Sequence, residues 1–161
     1  MIKWQWSSFD ELSLCELYEI LKIRQAVFVV EQECAYLDAD NLDQDSWHLM
    51  GWRENAHQKQ LVAYLRVVFP GKKFPESSIG RVLVTPESRK TGLGKQLTAE
   101  AIARIADQYP NSAIRISAQQ HLEKFYVNFG FKTVSKPYKE DGIPHIEMLR
   151  CTGSDSIIQT V

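Results

Sequence analysis

Arg89-Lys90-Thr91-Gly92-Leu93-Gly94 sets two glycines among basic and hydroxyl-bearing residues, directly ahead of a segment with helical periodicity. Backbone N–H groups at the start of a helix have no intrahelical acceptor, and the helix dipole adds roughly +0.5 charge there, so a glycine turn in this place favours a phosphate. Gly92 and Gly94 lack a Cβ, tolerate positive φ and let a ligand approach the backbone. Two common phosphate patterns fail on spacing. A nucleoside-triphosphatase loop needs Gly-Lys-Ser/Thr with a glycine five positions before it, but Gly94-Lys95 is followed by Gln96 and the earlier position is Arg89. A dinucleotide fingerprint needs a third glycine where Leu97 stands. The pattern that remains, Arg/Gln-x-x-Gly-x-Gly/Ala, is met at every position.

The elements that must hold this turn are a strand before it and a helix after it. Ile79 and Val82-Leu83-Val84 form an apolar, partly β-branched run broken at Pro86, which reads as a buried strand. Leu93, Leu97, Ala101 and Ile105 recur every fourth residue and predict a helix ending near Tyr109-Pro110. Upstream, Ile2, Trp4 and Trp6 alternate with polar residues as a half-buried first strand. Ser8 or Asp10 can cap the helical stretch from Ser13 to Val30, read as one helix or as two with a bend. Glu31 to Asp45 carries six acidic residues and almost no periodicity, so a loop is expected. Its alternating Asp38 and Asp40 invite a calcium reading, which fails because Asp43 and Leu49 occupy the positions of the loop glycine and the bidentate glutamate. A solvated acidic surface is the expectation, with an anionic mouth for a cationic amine as the sharper alternative.

Trp47 to Arg53 and Leu61 to Phe69 read as a β-hairpin, followed by a loop at Pro70 to Pro75. After the glycine turn and its helix come a strand at Ala113 to Ala118 and a helix at Gln119 to Asn128, with Gly130 as its left-handed stop. Phe131 to Val134 and Ile146 to Leu149 give two last strands around a Pro137-to-Pro144 loop. The chain is therefore expected to be one domain over residues 1–150, with 151–161 a loose tail.

The composition sets outer limits. With 161 residues, 44% hydrophobic and 24% charged, the chain is a soluble globular type, and 19 basic against 20 acidic residues give a net charge of −1. No whole-chain field recruits nucleic acid or a membrane surface, and no signal peptide or membrane-spanning run is expected. Cys15, Cys34 and Cys151 have no paired spacing for zinc or a redox dithiol, so no metal is expected and a reducing cytoplasm is the simplest home.

The glycine turn and this element order together resemble the GNAT superfamily of acetyl-CoA-dependent N-acetyltransferases. Arg24-x-x-Val27-Phe28, His48-Leu49, Gly80-Arg81-Val82, His121-Leu122-x-x-Phe125-Tyr126-x-x-Phe129-Gly130-Phe131 and Glu140-Asp141-Gly142-Ile143-Pro144-His145 resemble its ElaA-like branch in combination. The resemblance implies a mixed, mostly antiparallel sheet of about seven strands flanked by helices and splayed between strands 4 and 5. It further implies acetyl-CoA as co-substrate and an amine acceptor, in a monomer or homodimer.

In that family a neutral amine attacks the thioester directly, which calls for a base, oxyanion stabilisation and an acid for the departing thiolate. Tyr126 matches the family's acid in Tyr-x-x-x-Gly-Phe, and a phenol stays protonated at neutral pH. The CoA contacts implied by resemblance are Val82, Leu83 and Val84 on the fourth strand, Arg89, Lys90, Thr91, Gly92, Leu93, Gly94 and Lys95 in the turn, and Phe125 with Tyr126. The oxyanion is assigned to the backbone N–H near Leu83 or Val84. The glutamate that many members place early in the fourth strand is replaced by Ser77-Ser78-Ile79-Gly80. The base is therefore sought among Glu31, Glu33, His48 and His145. An acyl-cysteine route through Cys34 lacks a histidine partner pattern. A CoA-binding sensor without turnover is the rival reading.

Overall fold

The computed structural model describes residues 1–152. Two four-stranded sheets carry the chain. The first runs β1 (Ile2–Ser8), β2 (Ser46–Glu54), β3 (Lys59–Val68) and β4 (Ser78–Val84) in sequence order, every pair antiparallel. In the second, β8 (Ile143–Arg150) lies between β5 (Ile114–Gln119) and β6 (Lys132–Thr133), and β7 (Tyr138–Glu140) also pairs with β8. The sheets touch through one parallel bridge, Ser77 to Ile114, where the Arg115 N–H donates to the Ser77 carbonyl at 3.0 Å. Beyond that bridge β4 and β5 diverge, so the expected splay is present, with eight strands in place of about seven.

The additional strand is β7. Pro137 and Pro144 made its segment read as a loop, yet Asp141 (φ 49°) and Gly142 (φ 78°) form a two-residue turn joining Glu140 to Ile143. Asp-Gly is the sequence preference of such a hairpin turn, because both residues must take positive φ.

Helices cover both faces of the first sheet. Leu97, Ala101 and Ile105 of α2 (Leu93–Gln108) pack with Val62, Leu65 and Val67 of β3. On the other side Ile20 and Ile23 of α1 (Leu14–Arg24) pack with Met50, Leu61 and Tyr64. Ser13 begins α1 with a capping box: its hydroxyl accepts from the Glu16 N–H at 3.1 Å while Glu16 accepts from the Ser13 N–H at 2.9 Å. The helical path does not break after Arg24. It widens without interruption into a π-helical segment at Gln25–Glu31, in place of two helices with a bend. The Gln32 N–H reaches back to the Val27 carbonyl at 3.2 Å. A π turn of this kind often marks a functional site, and here it delivers Glu31 toward the glycine turn.

The middle of the acidic stretch, Asp38 to Asp43, is not a solvated surface. Asp38 and Asp43 are buried, as are Arg24 and Arg66. Arg24 donates to Asp38 Oδ2 (2.8 Å) and Asp43 Oδ1 (2.6 Å), Arg66 to Asp40 Oδ1 (2.7 Å) and Asp43 Oδ1 (2.9 Å), and Arg81 to Asp38 Oδ1 (2.8 Å). Three aspartates thus face three arginines in a paired cluster, while Glu31 and Glu33 remain exposed. The signal was in the sequence: Arg66 interrupts an apolar strand and Arg24 lies on the buried side of a helix, places where a charge is kept only when paired.

Candidate active site

A cavity of about 500 Å³ opens where β4 and β5 diverge. Its walls include Val82, Leu83 and Val84 from β4, Ile116 to Gln119 from β5, Phe28 and Glu31 from the π turn, and Tyr126 from α3 (Glu123–Val127). The β4 wall is shaped by a bulge. Leu83 pairs with Tyr64 and Gly80 with Arg66, so Arg81 and Val82 together oppose Leu65, and Arg81 takes φ 54°. The guanidinium of Arg81 is held by Asp38, which ties the bulge to the ion cluster.

At one end of the cavity stands Arg89. Its guanidinium clasps Glu31 through Nη1 (2.5 Å to Oε1) and Nη2 (2.8 Å to Oε2), and its Nε–H donates to the Val84 carbonyl at 3.1 Å. The hydrogen bond from Arg89 lowers the pKa of Glu31. A carboxylate so engaged is a poor proton acceptor. Past Arg89, Gly92 takes φ 82° and opens α2. Among the described residues, the backbone N–H groups of Lys90, Thr91, Gly92, Leu93 and Gly94 donate to no acceptor. Five unpaired donors at a helix start suit a pyrophosphate. Leu93 is 4% exposed within the core, so only its backbone could serve a ligand, while Lys90 and Lys95 are exposed.

Tyr126 is 5% exposed and packs edge-on against Phe125 (5.1 Å between centroids) and Phe131 (5.8 Å). Its hydroxyl has no hydrogen-bond partner among the described residues, and burial pushes its pKa up to about 12. It therefore stays a proton donor throughout the neutral range. Phe125 supports that ring and packs on Phe129, but it does not line the cavity.

The base candidates are dispersed. His48 is fully buried on β2, with Nδ1 2.8 Å from the Tyr64 hydroxyl and Nε2 2.9 Å from the Asp43 carbonyl, and it has no access to the cavity. Because a carbonyl only accepts, Nε2 carries the proton there; burial lowers the pKa of this neutral core imidazole. Glu33 is exposed and outside the cavity wall. His145 does line the cavity. Its Nδ1 lies 2.7 Å from the Ile143 carbonyl, which fixes the proton on Nδ1 and leaves the Nε2 lone pair available. The structure thus gathers Tyr126, Glu31, His145, Arg89 and the β4 residues around one space and leaves His48, Glu33, Phe125 and the turn residues Lys90 to Lys95 off its wall.

The fold and these residues can be set beside known proteins. An acetyltransferase (GNAT) domain matches residues 37–150. The chain belongs to the GNAT acetyltransferase family. UPF0039 protein sll0451 of Synechocystis is 47% identical over 148 residues, covering 92% of this chain and 94% of that protein. Protein ElaA of Escherichia coli is 41% identical over 152 residues, covering 93% and 97%. A crystal structure of an acyl-CoA N-acyltransferase from Pseudomonas aeruginosa superposes with a TM-score of 0.88 at 40% identity, covering 94% of this chain and all of that one. As a member of the GNAT family the chain is an acyltransferase that uses an acyl-CoA as co-substrate. No helix among the described residues is long and apolar enough to cross a membrane.

Glu140 and Ser117 also line the cavity, with Tyr138 hydrogen-bonded to Ser117, and the sequence analysis does not single them out. Glu140 sits on the hairpin strand that was read as loop. Recognising the Asp141-Gly142 turn would have placed it on the same face as His145.

Proposed function

We propose that this chain is an acetyl-CoA-dependent N-acetyltransferase in which a primary amine, free or at an exposed peptide end, attacks the thioester directly in a ternary complex. The observation that carries this reading is the cavity in the β4–β5 splay, with Arg89 at one end, an unpartnered, protonated phenol along its wall, and a run of unpaired N–H donors next to Arg89 in the chain. The run from Lys90 to Gly94 takes the pyrophosphate. The pantetheine arm lies along the open edge of β4, and the N–H near Leu83 or Val84 receives the oxyanion. Tyr126 protonates the leaving sulfur, and His145 is the proton acceptor with the best-placed lone pair.

Thiol release from acetyl-CoA, followed with a panel of primary amines, tests the proposal. Amine-dependent release is expected. Tight binding without release on any amine would favour a CoA sensor, and no binding would overturn both readings.

The CoA end has its own test. Gly94→Asp is expected to weaken acetyl-CoA binding by about tenfold or more, the scale of one charge-assisted hydrogen bond, while the melting temperature stays near the wild type's. A Cβ at Gly94 meets only Val84 Cγ2, at 3.9 Å, so the fold has room for it. Gly92→Asp is a less clean probe because φ 82° strains any side chain by about 1–2 kcal/mol. An unchanged calorimetric affinity for Gly94→Asp would contradict the loop assignment.

A further inference from the structure

We infer that Glu140 is the acceptor-amine docking carboxylate of this site, working with His145, and that the acceptor is therefore an aliphatic primary amine that arrives as a cation. The inference rests on the acetyl transfer proposed above. Its geometric basis is a gap. His145 Nε2 and Glu140 Oε2 lie 4.0 Å apart at the cavity wall. Because His145 carries its proton on Nδ1, toward the Ile143 carbonyl, both facing atoms are acceptors and neither satisfies the other. An ammonium group, with three N–H donors, can bridge two such atoms from the open side of the cavity, about 2.9 Å from each. A weakly basic aromatic amine brings no charge to the carboxylate, and a hydroxyl brings a single donor and no charge.

Glu140 is also held in place for this task. Its Oε2 accepts from the Ser117 hydroxyl at 3.0 Å, and Ser117 is itself hydrogen-bonded to the Tyr138 hydroxyl. The Tyr138 ring stacks on His145, 6.1 Å between centroids, so one cluster fixes both acceptors. Four other charged side chains at the cavity are committed elsewhere. Glu31 is clasped by Arg89, while Arg66 and Arg81 are matched by Asp40 and Asp38. Lys73, on which Glu140 is the strongest attractive charge, and Asp141 complete the charged lining on that side, and neither forms an ion pair among the described residues. Glu140 has no lysine or arginine within ion-pair distance among the described residues.

The protons balance as follows. The ammonium docks on Glu140 and yields one proton to His145 Nε2; the nitrogen lone pair then forms the C–N bond to the thioester carbonyl. As the C–S bond breaks, sulfur leaves with the electron pair and takes the Tyr126 proton. The nitrogen sheds its second proton to solvent. The proton held by His145 restores Tyr126, so ammonium plus thioester gives amide, thiol and one proton.

The test compares Glu140→Gln with the wild type on two kinds of nucleophile, putrescine or phenethylamine, which are cationic at neutral pH, and hydroxylamine, which is already neutral. The expected result is a loss of about 10- to 100-fold in kcat/KM for the cationic amines, with hydroxylamine-dependent thiol release and calorimetric acetyl-CoA affinity near the wild type's. Equal losses with both nucleophiles, or no loss with either, would overturn the role of Glu140 and leave the transferase reading standing. A wild type that binds acetyl-CoA but releases no thiol with any amine would overturn the transferase reading and this inference with it.

Discussion

Replacing Tyr126 with phenylalanine is expected to lower kcat by about 10²–10⁴-fold while acetyl-CoA affinity changes little, the pattern of a group whose contribution is made in the transition state. The substitution deletes one hydroxyl and keeps the ring, so the edge-on contacts with Phe125 and Phe131 survive. No hydrogen bond to a described residue is broken, and stability should hold. A ring that served packing alone would show the opposite pattern, with unchanged turnover per folded molecule. An unaltered kcat would remove Tyr126 from the chemistry, leaving the CoA loop untouched by the result.

The second large effect is on stability. Asp43→Ala is expected to cost about 3–5 kcal/mol, because one carboxylate oxygen serves both Arg24 and Arg66 and its loss leaves two buried guanidinium groups with a single carboxylate each, Asp38 and Asp40. For a protein of this size each kcal/mol lowers the melting temperature by about 2–4 °C. An exposed control such as Asp107→Ala should stay within about 0.5 kcal/mol of the wild type. A melting temperature for Asp43→Ala close to that of the control would mean that the cluster is not held together through Asp43.

Acid should find the same region. Burial alone would raise the pKa of Asp40, but the hydrogen bonds and charge of Arg66 and the charge of Arg81 outweigh it and hold the group at about 2. A carboxylate with a depressed folded pKa contributes stability above its unfolded value of about 3.9, and that contribution is lost as the pH falls toward about 2. His48 adds to the slope earlier, since burial depresses its folded pKa and the unfolded chain binds the proton first below about 6.5. Urea unfolding free energies should therefore fall from pH 7 to pH 3. A flat or rising profile would contradict both assignments.

What the sequence made legible was whatever depends on local backbone chemistry. The turn at Arg89 to Gly94, the four-residue repeat of α2 and the left-handed stop at Gly130 (φ 87°) are each set by residues close in the chain. What it hid depends on partners far apart. The aspartates at 38, 40 and 43 look like a solvated run until β3 and the β4 bulge bring Arg66 and Arg81 to them. His48 stands among the base candidates because nothing near it in the chain announces Tyr64, which comes from the next strand. At Glu140 the prolines outweighed the Asp-Gly turn, and the strand carrying the carboxylate was taken for a loop.

The strand order also has a kinetic consequence during synthesis. β1 to β4 pair with neighbours in sequence, so the first sheet has all its strands once residue 84 has emerged. The second has no centre until β8 is made, because β5, β6 and β7 each pair with that last strand. A nascent chain stalled anywhere between residues 120 and 142 would present β5 and α2 beside a finished first sheet with an open edge on β4. Such edges invite pairing with other chains, so that interval is where this protein most needs protection by a chaperone.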